Sequence, residues 1–270
     1  MVGHDLSLDE KRVYSAKAAR EELLVATELG VVVVGVSDDL VGEFGVDHRC
    51  DARDVACADG YVAVATDEDV LLGTDYGETG FGPATAVGFG DGLLAGDDDG
   101  RVARYGEGDG DEARWQSLGH VGAVRAIDGP LVAAADGVYR VRGDELVDAG
   151  LDDVRDVAGA GVPLAATDEA LYRLGNGWMD VVGGDFHVVS AVPERDDERA
   201  HAATAEALYA RESTDEWDRV DVPADERIVD VAYSTATCAI TADGTLLLDA
   251  GDGWRTRALG VRGVGALAAR

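Results

Sequence analysis

One stretch constrains the fold more than any other. Residues 154–184, VRDVAGAGVPLAATDEALYRLGNGWMDVVGG, hold four short strand-like runs: VRDVA, VPLAAT, ALYRL and WMDVV. Acidic or Gly-containing turns separate them, the punctuation expected between strands. Asn176-Gly177, directly before Trp178, predicts a type I′ hairpin in which both central residues take positive φ. The same plan recurs along the chain. Repetition of one small antiparallel sheet is how a β-propeller is written in sequence.

Second-strand runs such as LLVAT, YVAVAT and TCAIT are followed by third-strand runs such as VVVVGVS, DVLLG and TLLLDAG. Counted separately, the two sets agree on seven blades. Val55, Val87, Ile127, Val157, Ala191, Val231 and Leu267 mark the innermost strands. The expected architecture is therefore all-β: one seven-bladed β-propeller domain over residues 1–270, with four-stranded antiparallel blades. Two segments compete to close the ring, residues 12–18 and residues 264–268. Ser7-Leu8-Asp9-Glu10 offers a capping box for a short helix, although a strand suits the residues that follow better. The Gly-rich YGETGFGPA makes a poor outer strand and reads as a loop.

Composition enters through charge. The formal net charge is −31, with Asp supplying 37 of 54 acidic residues and Lys only 2 of 23 basic ones. These acids punctuate apolar runs, so the pattern is that of a folded protein suited to concentrated salt rather than of a disordered acidic chain. A strongly negative surface disfavours nucleic acid, whose phosphates need clustered Lys and Arg. No run of 18 apolar residues suggests a membrane span, and the first residues carry no secretion pattern. A cytoplasmic monomer is expected. Cys50, Cys57 and Cys238 are an odd number without metal-type spacing and read as buried, reduced thiols. Charge also sets the first testable outcome. In molar KCl screening reaches only about 3 Å, and at about 0.1 M roughly 10 Å, so dialysis to low salt should release the compact state. Circular dichroism against KCl concentration reads this. An unchanged strand signal and melting point down to tens of millimolar would refute it.

The blade phrases ATELGVVVV, CDARDVA and ALYRLGNGW, together with this acidity, resemble an uncharacterised haloarchaeal β-propeller family. The resemblance spans essentially the whole chain. It implies the propeller fold and brings no established activity, substrate or catalytic residue.

Candidate site residues come from position within the blades. Arg53, Arg125 and Arg155 share one register of the innermost strand, and Asp54, Asp156 and Asp230 share the next. They suit either a polar channel for an anionic or zwitterionic ligand or Arg–Asp pairing between neighbouring blades, and pairing is the favoured reading. His48, Arg49, His120 and His187 fall in segments leading into innermost strands. Three histidines are a conceivable metal set, but alternate blades hold them apart, so no metal site and no cofactor is expected. An acid sits between second and third strands in every blade: Glu28, Asp67, Asp97, Asp136, Asp168, Glu206 and Asp243. Solvated turns explain these more simply than a cation ring. Trp115, Trp178, Trp217 and Trp254 open outermost strands and suit packing between blades better than the Asp-box of sialidase-like propellers. Nucleophile-elbow, HExxH, P-loop and dinucleotide-binding signatures are absent from the sequence.

Two function classes follow. The first is a non-enzymatic interaction platform for a protein partner. The alternative is a metal-dependent propeller hydrolase of the lactonase or sialidase-like kind. A stoichiometric divalent metal in the purified protein would separate them.

Overall fold

The computed structural model describes residues 21–37, 40–107, 113–192, 199–211 and 216–270. They form seven antiparallel sheets of four strands each and, among the described residues, no helix. No helix among the described residues is therefore long and apolar enough to cross a membrane. Blade 5, the stretch that set the sequence reading, consists of strands Asp156–Ala158, Leu164–Ala166, Ala170–Leu174 and Trp178–Gly183. Each sheet pairs its strands in chain order, except the one that closes the ring.

That closure resolves the competition between the two candidate segments. Ala266–Ala269 pairs with Glu21–Thr27, Ala266 opposite Ala26 and Leu23 opposite Ala269. The last strand of the chain is thus the innermost strand of blade 1, and Gly30–Ser37 and Leu40–His48 complete that sheet. The capping box at Ser7 and the strand-like residues 12–18 lie outside the described residues.

The second strands read as unbroken apolar runs because both of their faces are covered. In Glu21–Thr27, Leu23 and Val25 face blade 7 while Leu24 and Ala26 face blade 2. A half-solvated antiparallel sheet would alternate apolar with polar instead. The core accordingly divides into seven apolar clusters, one in each gap between neighbouring blades. The tryptophans extend these clusters outward. Trp178 Nε1 donates to Ala149 O of the preceding blade at 2.7 Å, and Trp115 Nε1 lies 3.2 Å from Thr79 Oγ1 of the blade before it.

Turns between second and third strands have a local cause that the acid count overlooked. Four of them begin Ala-Thr: ATELG, ATDED, ATDEA and ATAEA. The Thr hydroxyl donates across the turn, from Thr27 to Gly30 O and from Thr66 to Asp69 O, at 2.7 Å in both. The same oxygen accepts turn N–H groups, as from Asp69 at 3.0 Å. Blades 3 and 4 lack this Thr. In blade 3 the acid takes over, Asp97 accepting from Arg101 N across the turn at 2.8 Å, whereas in blade 4 Asp136 accepts from Gly122 N, in the loop entering the innermost strand, at 2.7 Å. Short polar side chains that bond nearby backbone are the ordinary builders of such turns.

The hairpin at Asn176-Gly177 corrects an expectation. Leu174 pairs with Trp178, leaving three residues in the connection, and Gly175 N donates to Gly177 O at 2.9 Å. Neither Asn176 nor Gly177 takes positive φ. A type I′ turn needs a two-residue connection, which this pairing register does not allow. The outermost strand of blade 2 is only Gly77–Glu78, as its Gly-rich sequence suggested.

Candidate functional site

The seven innermost strands touch in a closed ring. They enclose an axial channel, one cavity of which, about 280 Å³, is lined by residues from all seven. The face carrying the Thr-acid turns and the loops into the innermost strands is called the upper face here. At that end a second cavity, about 150 Å³, is again lined from all seven blades. It contains the Arg and Asp registers singled out in the sequence.

The structure aligns the blades through their hydrogen bonds. Asp54 accepts from Val55 N and, across the blade boundary, from Val87 N, both at 2.8 Å. Asp156 does the same with Val157 N at 2.8 Å and Val189 N at 2.7 Å. Asp230 repeats it with Val231 N and Leu267 N, both at 2.7 Å. The equivalent of Val55 in blade 6 is therefore Val189, not Ala191 as the sequence spacing indicated. Shifting that anchor by two residues moves His187 into the same register as Arg53, Arg125 and Arg155.

The uppermost register now reads Arg53, Thr85, Arg125, Arg155, His187, Val229 and Gly265 around the ring. Its polar members perform one repeated act. Each reaches a carbonyl of the next blade, one residue before that blade's own member of the register. Arg53 Nη1 donates to Ala84 O at 3.4 Å and Thr85 Oγ1 to Val124 O at 2.7 Å. Arg125 Nη1 donates to Val154 O at 3.2 Å and Arg155 Nη1 to Phe186 O at 3.4 Å. His187 Nε2 lies 2.8 Å from Ile228 O, so the neutral ring carries its proton there. At Gly265 no side chain fits, because a Cβ would stand 2.2 Å from Arg53 O.

Arg–Asp pairing between blades does occur, but with other partners than the sequence suggested. Arg125 pairs with Asp153 at 2.6 Å, and Arg155 pairs with Asp185. Both acids precede the next innermost strand and lie toward solvent. Asp54, Asp156 and Asp230 take backbone N–H groups instead, because the Arg side chains turn upward to the carbonyls. No carboxylate among the described residues pairs with Arg53.

Burial dominates the titration of the inner layer. It pushes the Asp54 carboxyl up to about 6 and that of Asp230 up to about 7, against the smaller opposing pull of their two N–H donors. Asp156 is raised well above the usual range, by burial first and then by the charge of Asp230. Asp128, deeper in the channel, is raised by burial and accepts from Gly159 N at 2.6 Å. Burial lowers His187, and it lowers His201 to about 4. His201 Nδ1 lies 2.9 Å from Tyr233 Oη, whose hydroxyl reaches Ser190 O at 3.0 Å at the lower end of the channel.

The remaining candidates sit away from the axis. His48 ends the outermost strand of blade 1 and stacks on Tyr76 with ring centroids 4.5 Å apart. His120 ends the outermost strand of blade 3 and is exposed, and Arg49 is exposed in the loop into blade 2. His48, His120 and His187 therefore do not converge. No group of three or more His, Cys, Asp or Glu among the described residues is arranged to hold a metal ion. Thr85, Asp128 and His201 were missed by the sequence reading. Thr85 was legible as the residue two before Val87, in the register of the arginines, whereas Asp128 and His201 carry no distinguishing pattern.

Known structures share this architecture at low identity. A chain of the nidogen–laminin complex superposes with a TM-score of 0.59 at 9% identity, over 92% of this chain and 98% of that one. The WD40 repeats of RRP9 give 0.59 at 13%, over 82% and 84%. YCF48 bound to D1 peptide gives 0.56 at 13%, over 78% and 84%. At these identities the likeness concerns the fold alone. A search of curated protein sequences finds no match. A family model does match, over residues 7–270, and so the chain belongs to the HVO_0234-like β-propeller family.

Proposed function

We propose that this protein is a non-enzymatic interaction platform that engages a protein partner through its upper face, in a cytoplasm of concentrated salt. The observation that carries the reading is the gathering of arginines at the mouth of the channel. Arg53, Arg125 and Arg155 stand there beside the neutral His187 on a chain of net charge −31, with Arg49 and His120 exposed further out. A rigid ring holds loops in place, and binding residues concentrate on loops held that way. The lower face offers mainly short turns such as residues 175–177, whose side chains give a partner little to grip. Propellers of the same architecture have been seen in a nidogen–laminin complex and bound to D1 peptide.

Crosslinking in lysate at native salt tests the reading with single substitutions. Arg49→Ala and His120→Ala should lower recovery of the crosslinked partner several-fold, while Asn176→Asp on the lower face leaves it unchanged. Loss only with Asn176→Asp would assign binding to the other face and overturn the proposal.

A further inference from the structure

The upper cavity stacks an arginine layer above a carboxyl layer, one residue further along the innermost strands. That step is roughly 3.3 Å in a β-strand. Arg53, Arg125 and Arg155 form the outer layer, and Asp54, Asp156 and Asp230 form the inner one. Each carboxylate uses two acceptor sites on backbone N–H groups and retains others, since an ionised carboxylate offers about four. No Lys or Arg among the described residues pairs with these three acids. In the outer layer Arg53 makes, among the described residues, a single long bond, 3.4 Å to Ala84 O, and keeps its remaining donors. Both layers thus keep unused hydrogen-bonding capacity facing one small space.

We infer that this mouth binds a small zwitterion, a free α-amino acid, with its carboxylate on the arginine layer and its ammonium on the aspartate layer. Each layer also rejects the wrong ligand, which is how sites of this kind discriminate. A simple anion drawn in by the arginines meets three buried carboxyls beneath them. A simple cation must pass the arginines first. The volume of about 150 Å³ lies below the roughly 300 Å³ at which drug-sized pockets begin, which restricts the ligand to a few heavy atoms. Burial has raised the inner carboxyls, and a bound ammonium supplies the counter-charge that holds them ionised. His187 completes the rim as a neutral ring already committed to Ile228 O, so the arginines alone bind the carboxylate.

Calorimetric titration of the full chain in molar KCl, with glycine, acetate and methylammonium as probes, tests the inference. Glycine should bind saturably, at least about tenfold tighter than either single-charge probe, because losing one charged hydrogen bond costs that much or more. Arg53→Ala should weaken glycine binding about tenfold with the melting temperature little changed, and Arg53→Lys should restore part of the loss. Asp54→Asn should weaken glycine and leave acetate no weaker than before. Acetate binding as tightly as glycine, no saturable heat with glycine, or undiminished glycine binding by Arg53→Ala would each overturn the inference. The titration involves no protein partner, so its outcome is independent of the platform reading.

Discussion

Deleting residues 266–270 is expected to abolish the cooperative fold. The deletion removes the innermost strand of blade 1, on which ring closure depends. Leu267 is 4% exposed, and burying such a side chain is worth about 2 kcal/mol. Its strand also pairs four residues with Leu23–Ala26, and those hydrogen bonds add roughly 1 kcal/mol each. Asp230 loses the Leu267 N–H, and two blade edges open to water. Together these losses reach the whole net stability of an ordinary protein, about 5–15 kcal/mol. Thermal melting followed by circular dichroism should show no cooperative transition. The control is Arg270→Ala, which removes only the ion pair with Glu22 and should melt nearly as the parent does. A truncated chain that melts at the parental temperature would show that the ring does not depend on this strand.

The second large effect concerns the aspartate clamps. Asp156→Ala strips the acceptor from Val157 N and Val189 N at once. Leaving a buried donor unpaired costs about 1–3 kcal/mol, so the pair costs about 2–6 kcal/mol. For a chain of this size that corresponds to a fall of roughly 5–15 °C in melting temperature. Ala126 and Val188 occupy the same register in blades 4 and 6 without any such bond, and Ala126→Gly is a control expected to cost far less. The clamps also give the stability a pH sign. A carboxyl raised in the folded state binds its proton more tightly there than when unfolded. Its contribution is fully present below the ordinary carboxylate value and is lost as pH rises through the folded value, about 6 for Asp54 and about 7 for Asp230. Melting temperature at constant molar salt should therefore rise as pH falls from 8 toward 5. Asp230→Asn should flatten that rise, and an identical slope in the variant would remove Asp230 as its source.

The seven blades were legible because their determinants are local. A strand buried on both faces needs an unbroken apolar run, and the turn that follows needs a residue such as Thr66 or Asp97 to bond its own backbone. Both requirements fall within a few consecutive residues, so they leave a pattern that repeats along the chain. The arginine and aspartate registers were visible for the same reason, as the pairs Arg53-Asp54 and Arg155-Asp156 stand two and one before their anchor valines.

Only the tertiary structure decided the rest, because the deciding contacts join residues far apart in the chain. Ring closure pairs Leu23 with Ala269, and nothing in residues 12–18 or 264–268 by themselves says which segment reaches that edge. The true anchor of blade 6 is set by Asp156 reaching Val189 across a blade boundary, a bond that leaves no mark on the spacing of blade 6. His187 gained its place beside the arginines only through that bond. The partners of the charges followed a physical preference that sequence register cannot express. The buried carboxyls took backbone N–H groups that were otherwise unpaired, and the arginines took carbonyls and the solvent-side acids Asp153 and Asp185. An amide left without an acceptor inside a protein costs more than an ion pair returns at its surface.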